Sequence, residues 1–348
     1  MTKIYNVSMK QVAERAGVSR MTVSLALRGH SKITPSTTER VLKAAEELGY
    51  NPNPYLSLLG SHIRSSKQKK LQAQLAYLCH KQIRSPSQLS HSTPVFEEEF
   101  FLGANQRAES LGYGLERIQL KKVDVTSGRL NQMLINRGIM GLIVWRHPIK
   151  PLDWNMDWDR FAVCTMGVSL DAWDFHTVEC DRHRGMADLV SNLQSLGYKR
   201  PGLVMLDEQD RSHNHIQRSV ISNWQIQLPY QDQVPHLIET ELRKPDFLKW
   251  LDKYQPDVVI SGYDYAQDWI LESGRSIPGD TGFARPQITE KKELSGIRYD
   301  HLAMGKAAVD IISGQIMSNE RGTPEVSKNV LIAGHWQTGT SLKRLSDS

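Results

Sequence analysis

A chain of 348 residues, 39% hydrophobic and 23% charged, is long enough for two or three domains with a buried core in each. Its 43 Lys+Arg against 38 Asp+Glu give a formal net charge of +5, but residues 1–70 hold 12 basic against 4 acidic side chains and the remainder 31 against 34. A basic end of this kind suits phosphate contact. Cys79, Cys164 and Cys180 are odd in number and share no close paired spacing, which argues against a disulfide framework or a zinc site and for a reducing compartment. The first residues, Met1 to Asn6, hold no apolar signal core, and no apolar run approaches the ~18 residues that span a bilayer. The expectation is a soluble cytoplasmic protein with no membrane partner.

In Met9-Lys10-Gln11-Val12-Ala13-Glu14-Arg15-Ala16 the apolar residues Met9, Val12, Ala13 and Ala16 recur at the spacing of one buried helical face. Gly17, which takes a left-handed backbone cheaply, ends that helix. Val18 puts an apolar contact into the turn, and Ser19 can accept from the free N–H groups of the next helix. The second helix, Arg20 to Arg28, turns Val23, Ala26 and Leu27 inward and Arg20, Met21, Ser24, Leu25 and Arg28 outward. Thr34-Pro35 supplies a cap and a proline at the first helical position, and Val41, Ala44, Ala45 and Leu48 form the stripe of a third helix closed by Gly49. Helix, tight turn, helix and bracing helix form the helix-turn-helix arrangement, whose second helix enters a DNA major groove.

Val7-Ser8-Met9-Lys10-Gln11-Val12-Ala13-Glu14-Arg15-Ala16-Gly17-Val18-Ser19, then Thr22-Val23-Ser24, then Arg40-Val41-Leu42-Lys43-Ala44-Ala45-Glu46-Glu47-Leu48-Gly49-Tyr50-Asn51-Pro52-Asn53, resembles the lactose-repressor (LacI/GalR) family of bacterial transcription regulators. The resemblance implies a homodimer on a pseudo-palindromic double-stranded DNA operator, a hinge helix at the minor groove, and an effector-binding core like that of periplasmic sugar-binding proteins. It also implies that Ser19, Thr22, Lys32, Thr34 and Thr37 contact phosphate.

Tyr50-Asn51-Pro52-Asn53-Pro54 cannot continue a helix, because each proline biases its predecessor toward extended backbone. Asn53 can then cap, and Pro54 open, a short helix over Tyr55-Leu56-Ser57-Leu58-Leu59-Gly60. The resemblance makes this the hinge helix, with Leu59 as the wedge between base pairs in the minor groove. Pro54, Tyr55 and Leu56 depart from the small or basic residues more usual there, and an apolar interdomain helix packed on a dimer mate is the alternative. Arg64 to Lys70 follows as a basic linker.

From Gln74 onward short apolar runs alternate with helical patterns. Strands are predicted at Leu75–Leu78, Leu115–Leu120, Gly141–Trp145, Phe161–Cys164, Gly202–Leu206, Val258–Ile260 and Val330–Ile332. Helices are predicted at Phe96–Leu111, Arg129–Arg137, Arg184–Leu196, Asp246–Tyr254, Tyr265–Ser273 and His301–Ser313. This alternation predicts parallel sheets covered by helices on both faces, and the number of units together with the resemblance implies an α/β core of two doubly wound parallel-sheet lobes. Pattern and resemblance together give a helix-turn-helix domain at 1–52, a hinge helix and linker at 53–71, and an effector-binding and dimerisation core at 72–348. Lobe one is expected at about 72–182 and 295–322, and lobe two at about 183–294 and 323–348.

Arg20 is the candidate reader of a guanine edge, since a guanidinium donates twice to O6 and N7. Met21 and Leu25 can touch thymine methyls, and Ser24 and Arg28 share their stripe. For a small-molecule effector, open α/β lobes bind outside the carboxyl ends of strands. That rule selects Trp145, Arg146, Tyr263 and Asp264, and the resemblance aligns Asp264 with an aspartate that accepts from sugar hydroxyls. Arg218 lies near the family's effector arginine, with the spacing to its following aromatic shifted by two. Trp145, Trp154 and Trp173 could stack on a sugar or simply pack. Gly282-Phe283-Ala284-Arg285-Pro286 departs from the family's apolar strand running into Gly-aromatic-Asp.

No Gly-x-Ser-x-Gly elbow, P-loop or His-Glu-x-x-His helix occurs. His213-x-His215 and Cys180-x-x-His183 have metal-ligand residue types, but histidines so spaced on polar loops are commonly solvated. The reading has no catalytic residue, cofactor or metal: a ligand-responsive, sequence-specific repressor of carbohydrate-related genes, responding to a sugar or sugar derivative. The alternatives are an effector-independent activator or architectural DNA-binding protein, and an enzyme with a DNA-binding appendage.

Overall fold

The structure is a computed structural model and describes residues 9–27, 33–48, 50, 73–79, 93–120, 126–145, 154–166, 174–288 and 293–345, with backbone only at 10, 24 and 93–95. The N-terminal unit is a bundle of α1 (Met9–Ala16), α2 (Arg20–Ala26) and α3 (Pro35–Glu47). Val12, Val23 and Val41, one from each helix, are fully buried at its centre. Ala13, Ala16, Ala26, Ala44 and Ala45 surround them, and Met9, Val18, Leu27, Ile33, Leu48 and Tyr50 close the edges. So many alanines leave little side-chain bulk at the contacts, which lets short helices approach closely. Gly17 turns the chain at φ +63°. Ser19 Oγ caps α2 by accepting from the Thr22 N–H at 3.1 Å, and Thr34 Oγ1 caps α3 by accepting from the Thr37 N–H at 3.4 Å. The Arg15–Glu47 pair at 2.7 Å ties α1 to α3 across an exposed face, where such pairs contribute under about 1 kcal/mol.

The second unit alternates strands and helices: β1 (Gln74–Cys79), α4 (Thr93–Ser110), β2 (Gly114–Gln119), α5 (Arg129–Asn136), β3 (Ile139–Trp145), β4 (Ala162–Met166), β5 (His176–Cys180), α6 (Arg182–Ser195), β6 (Pro201–Leu206), α7 (Asp207–Ser212), α8 (Ile216–Gln225), β7 (Leu237–Glu239), α9 (Lys244–Tyr254), β8 (Val258–Ser261), α10 (Asp264–Glu272), β9 (Gly282–Ile288), β10 (Ser295–Tyr299), α11 (His301–Ser318), β11 (Asn329–Ile332) and β12 (Gly334–Gln337). They form two six-stranded sheets, ordered β11-β5-β4-β3-β1-β2 and β12-β10-β9-β8-β6-β7. Among the described residues every pairing is parallel except β10 with β12. The runs Leu75 to Leu78 and Val258 to Ser261 are buried at every position, as strands covered by helices on both faces must be.

Glycines mark where the layers touch. A Cβ on Gly141 of β3 would strike Ile312 of α11, and one on Gly202 of β6 would strike Trp250 of α9. Helices α4 and α11 cross backbone to backbone, since a Cβ on Gly103 would overlap the Leu302 carbonyl and one on Gly305 the Phe100 carbonyl. This crossing fastens the start of α11 to the first sheet's helical layer.

The chain passes between the sheets at Asp181, Asp300 and Ala333, and two of these crossings correct the expected lobe boundaries. Residues 295–299 were expected in lobe one, but β10 hydrogen-bonds to β9 and β12 in the second sheet, so the crossing comes at Asp300. Residues 329–332 were expected in lobe two, but β11 extends the first sheet beside β5 and the chain crosses again just before Gly334. The segment around Gly282–Pro286 is a strand, β9, in spite of Arg285 and Pro286. Pro286 lies beyond the last partner of β9 on β8, Ala284 with Ile260, and opposite a register shift in β10 between Gly296 and Arg298. No regular ladder bond is therefore asked of the missing N–H.

Candidate nucleic-acid interface and effector cleft

On the bundle, α2 buries Val23 and Ala26 and leaves Arg20 and Met21 exposed, Met21 at 73%. A methionine so open on a short amphipathic helix contributes nothing to the bundle's core. Thr22 and Leu25 are half-buried. Ser19 Oγ and Thr22 Oγ1 lie 2.9 Å apart, and Thr34 Oγ1 donates to Thr37 Oγ1 over the same distance. Four of the five residues expected at phosphates therefore sit in two hydroxyl pairs at the N-terminal ends of α2 and α3, where unpaired backbone N–H groups favour anions. Arg28, Lys32 and Leu59 lie outside the described residues, as does the side chain of Ser24.

In the core, Tyr263 and Asp264 follow the carboxyl end of β8 as the strand rule requires. Tyr263 Oη accepts from the Leu206 N–H at 3.2 Å and donates to Gln209 Oε1, which joins the ends of β6 and β8. Its ring stacks on Tyr265 at 5.0 Å and 10°, and Tyr265 meets Trp269 at 4.7 Å. Burial raises the Tyr265 phenol's pKa, so it stays protonated. Asp264, expected as an acceptor for a ligand hydroxyl, accepts from Arg285 Nη1 at 2.7 Å. Burial opposes the Arg285 charge and lowers its pKa, while Asp264 works against that shift.

Arg218 turns to Asp210, 3.4 Å from its Oδ2, and His215 Nδ1 reaches the same oxygen at 2.8 Å. Asp210 is fully buried, so it anchors the corner between α7 and α8, where Asn214 and His215 both adopt positive φ. Behind this corner Ser222 Oγ pairs with His236 Nε2 at 2.8 Å, and burial brings His236 down to about 4. Trp145 ends β3 and meets Phe100 edge to face at 5.8 Å, while Arg146 and Trp173 fall outside the described residues. Trp154 is core, packed with Trp158 at 5.7 Å. Cys180 lies against Met304 Sδ at 3.6 Å, and all three cysteines are free and buried.

Gln209, Asp210 and Arg285, which sequence reasoning did not select, join the candidates at these strand ends: Gln209 accepts from Tyr263, Arg285 donates to Asp264, and Asp210 pairs with Arg218. An arginine inside an otherwise apolar strand signals a buried counter-charge and could have pointed to Asp264.

An exposed, N-capped second helix in a three-helix bundle, followed by one parallel and one largely parallel sheet joined by three crossings, defines a helix-turn-helix protein with a bilobed, periplasmic-binding-protein-like core. Residues 8–53 match the family of bacterial regulatory proteins, lacI family. The transcriptional regulator AscG of Escherichia coli (strain K12) is 50% identical over 46 residues, which are 13% of this chain and 14% of that protein. The regulator GalR of Lacticaseibacillus casei is 25% identical over 279 residues, 78% of this chain and 72% of that protein. A transcriptional regulator CelR–cellobiose complex shares the fold over 96% of this chain and 99% of its own, with a TM-score of 0.58 at 18% identity. The N-terminal segment thus matches the lacI family of bacterial regulatory proteins, and the chain as a whole is similar to the regulators GalR and CelR. The chain matches only about 14% of the length of AscG and 72% of the length of GalR.

Proposed function

We propose that this protein is a homodimeric, ligand-responsive transcription regulator that represses carbohydrate-related genes by binding a pseudo-palindromic operator. The observation that carries the reading is the exposed Arg20–Met21 edge of α2, set on a bundle within residues 1–70, the segment that holds the chain's basic excess. Arg20 reads a base edge, Met21 and Leu25 touch apolar base surface, and Ser19, Thr22, Lys32, Thr34 and Thr37 hold phosphates. The neighbouring fold seen with cellobiose supports a sugar as the class of effector, with Trp145, Arg146, Arg218, Tyr263 and Asp264 at the cleft.

Effector binding favours one arrangement of the lobes, and the population so selected carries a different operator affinity. Sequencing the duplexes that the purified full-length protein selects from a random pool, with and without a panel of mono- and disaccharides, tests this. An enriched two-fold-symmetric motif, lost or gained with one sugar, is the expected result. No enrichment under any condition would overturn the reading.

A further inference from the structure

We propose that His301 is an interlobe latch, holding the two lobes in one relative orientation through a hydrogen bond to Gln287 whose direction Glu99 fixes. The three side chains come from three elements. Glu99 is on α4 of lobe one, Gln287 is near the end of β9 in lobe two, and His301 opens α11 directly after the Asp300 crossing. His301 Nδ1 lies 3.2 Å from Glu99 Oε2, and its Nε2 lies 3.3 Å from Gln287 Nε2. Phe96 packs on the imidazole at 4.4 Å between centroids, and the side chain is only 7% exposed.

The chemistry of the partners assigns the protons. A carboxylate can only accept, so Nδ1 carries the hydrogen; Nε2 is then the acceptor, and the Gln287 amide donates to it. That tautomer requires a neutral ring. Burial holds His301 down to about 4, with Arg182 and Arg298 opposing protonation and Asp300 favouring it. Lobe one grips the histidine firmly, because Gly103 and Gly305 let α4 and α11 touch through their backbones at Leu302 and Gly305, just beyond it. The Gln287 bond is consequently what moves or breaks when lobe two turns about the crossings. It joins the two lobes beside the Asp300 crossing, so its length reports how lobe two is turned.

The test needs neither operator nor effector, so its outcome is separable from that of the proposed function. Spin labels on Asn136→Cys in lobe one and Lys249→Cys in lobe two, both exposed positions, report the interlobe distance in the full-length protein. The native cysteines are buried, and a label-only control without the new cysteines checks that they stay silent. Gln287→Leu and His301→Phe each remove the bond while keeping bulk, and should raise the ratio of a second, longer-distance population by about fivefold, the factor for one neutral hydrogen bond. Glu99→Gln keeps an acceptor for Nδ1–H and should leave the distribution unchanged, whereas Glu99→Ala should broaden it. Cooperative melting of each variant distinguishes a released latch from a lost fold. A folded Gln287→Leu protein with the wild-type distance distribution would overturn the proposal.

Discussion

Arg285 donates to Asp264 over 2.7 Å from the interior of β9, with its side chain 4% exposed and that of Asp264 18% exposed. The carboxylate that a sugar hydroxyl would meet is therefore already committed to a buried cation. Removing one partner of such a pair strands the other, which costs about 3–5 kcal/mol, whereas removing both can be nearly neutral. Asp264→Ala should lower the unfolding free energy of the core by that amount, and Arg285→Met with Asp264→Ala should restore most of the loss. Urea titration of the full-length protein checks this, and additive losses in the double variant would show that the pair is uncoupled.

In the bundle, the Ser19 and Thr34 caps should each contribute about 1 kcal/mol. Gly17 sits at φ +63° with nothing within 4 Å of a built Cβ, so Gly17→Ala isolates backbone strain of about 1 kcal/mol without a clash. Amide hydrogen exchange over α1–α3 in the intact protein should show faster opening for all three variants and unchanged protection in the core.

His236 and His301 are both held at about 4, below the unfolded value of 6.5. Their folded pKa is depressed, so the stability they contribute is complete above pH 6.5 and declines as pH falls toward 4, where the unfolded chain binds protons that the folded one refuses. The slope is at most about 1.4 kcal/mol per pH unit for each histidine. Melting temperature followed from pH 7.5 to 4.5 should fall less steeply in His236→Gln and His301→Phe than in the wild type.

The bundle was legible because Val12, Val23 and Val41 follow helical spacing and Gly17, Ser19 and Thr34 punctuate it. The two-sheet core was legible where strands are apolar throughout, as in Leu75 to Leu78. Strand β5, His176-Thr177-Val178-Glu179-Cys180, escaped notice because its polar residues are buried by pairing, Thr165 with Thr177 at 2.8 Å and His176 Nδ1 with the Lys328 N–H at 3.1 Å. Helix α7, Asp207–Ser212, carries no apolar residue, and α8 is missed although Ile216, Val220, Ile221 and Trp224 keep helical spacing. Their corner is held by Asp210, a charge whose burial no periodicity reveals. The lobe boundaries shifted for a related reason: strands β10, β11 and β12 are short, and only their hydrogen-bond partners decide which sheet each joins.

At the DNA surface, Arg20→Ala should cost about 1–3 kcal/mol on the selected operator and relax the preference at one base pair. Lys32→Ala should weaken selected and random duplexes alike and reduce the salt slope by about one counterion. Anisotropy titrations across a salt series separate the two, and identical effects of both substitutions on both kinds of DNA would refute the division of roles.

The central claim is that the row from Arg20 to Arg28 reads a DNA sequence. Its most direct test is the ratio of dissociation constants of the full-length protein for its selected duplex and for a scrambled duplex of equal length, measured at physiological salt. The account predicts a ratio of about 10³ or more in favour of the selected sequence. Equal affinity for the two, with and without candidate sugars, would contradict it.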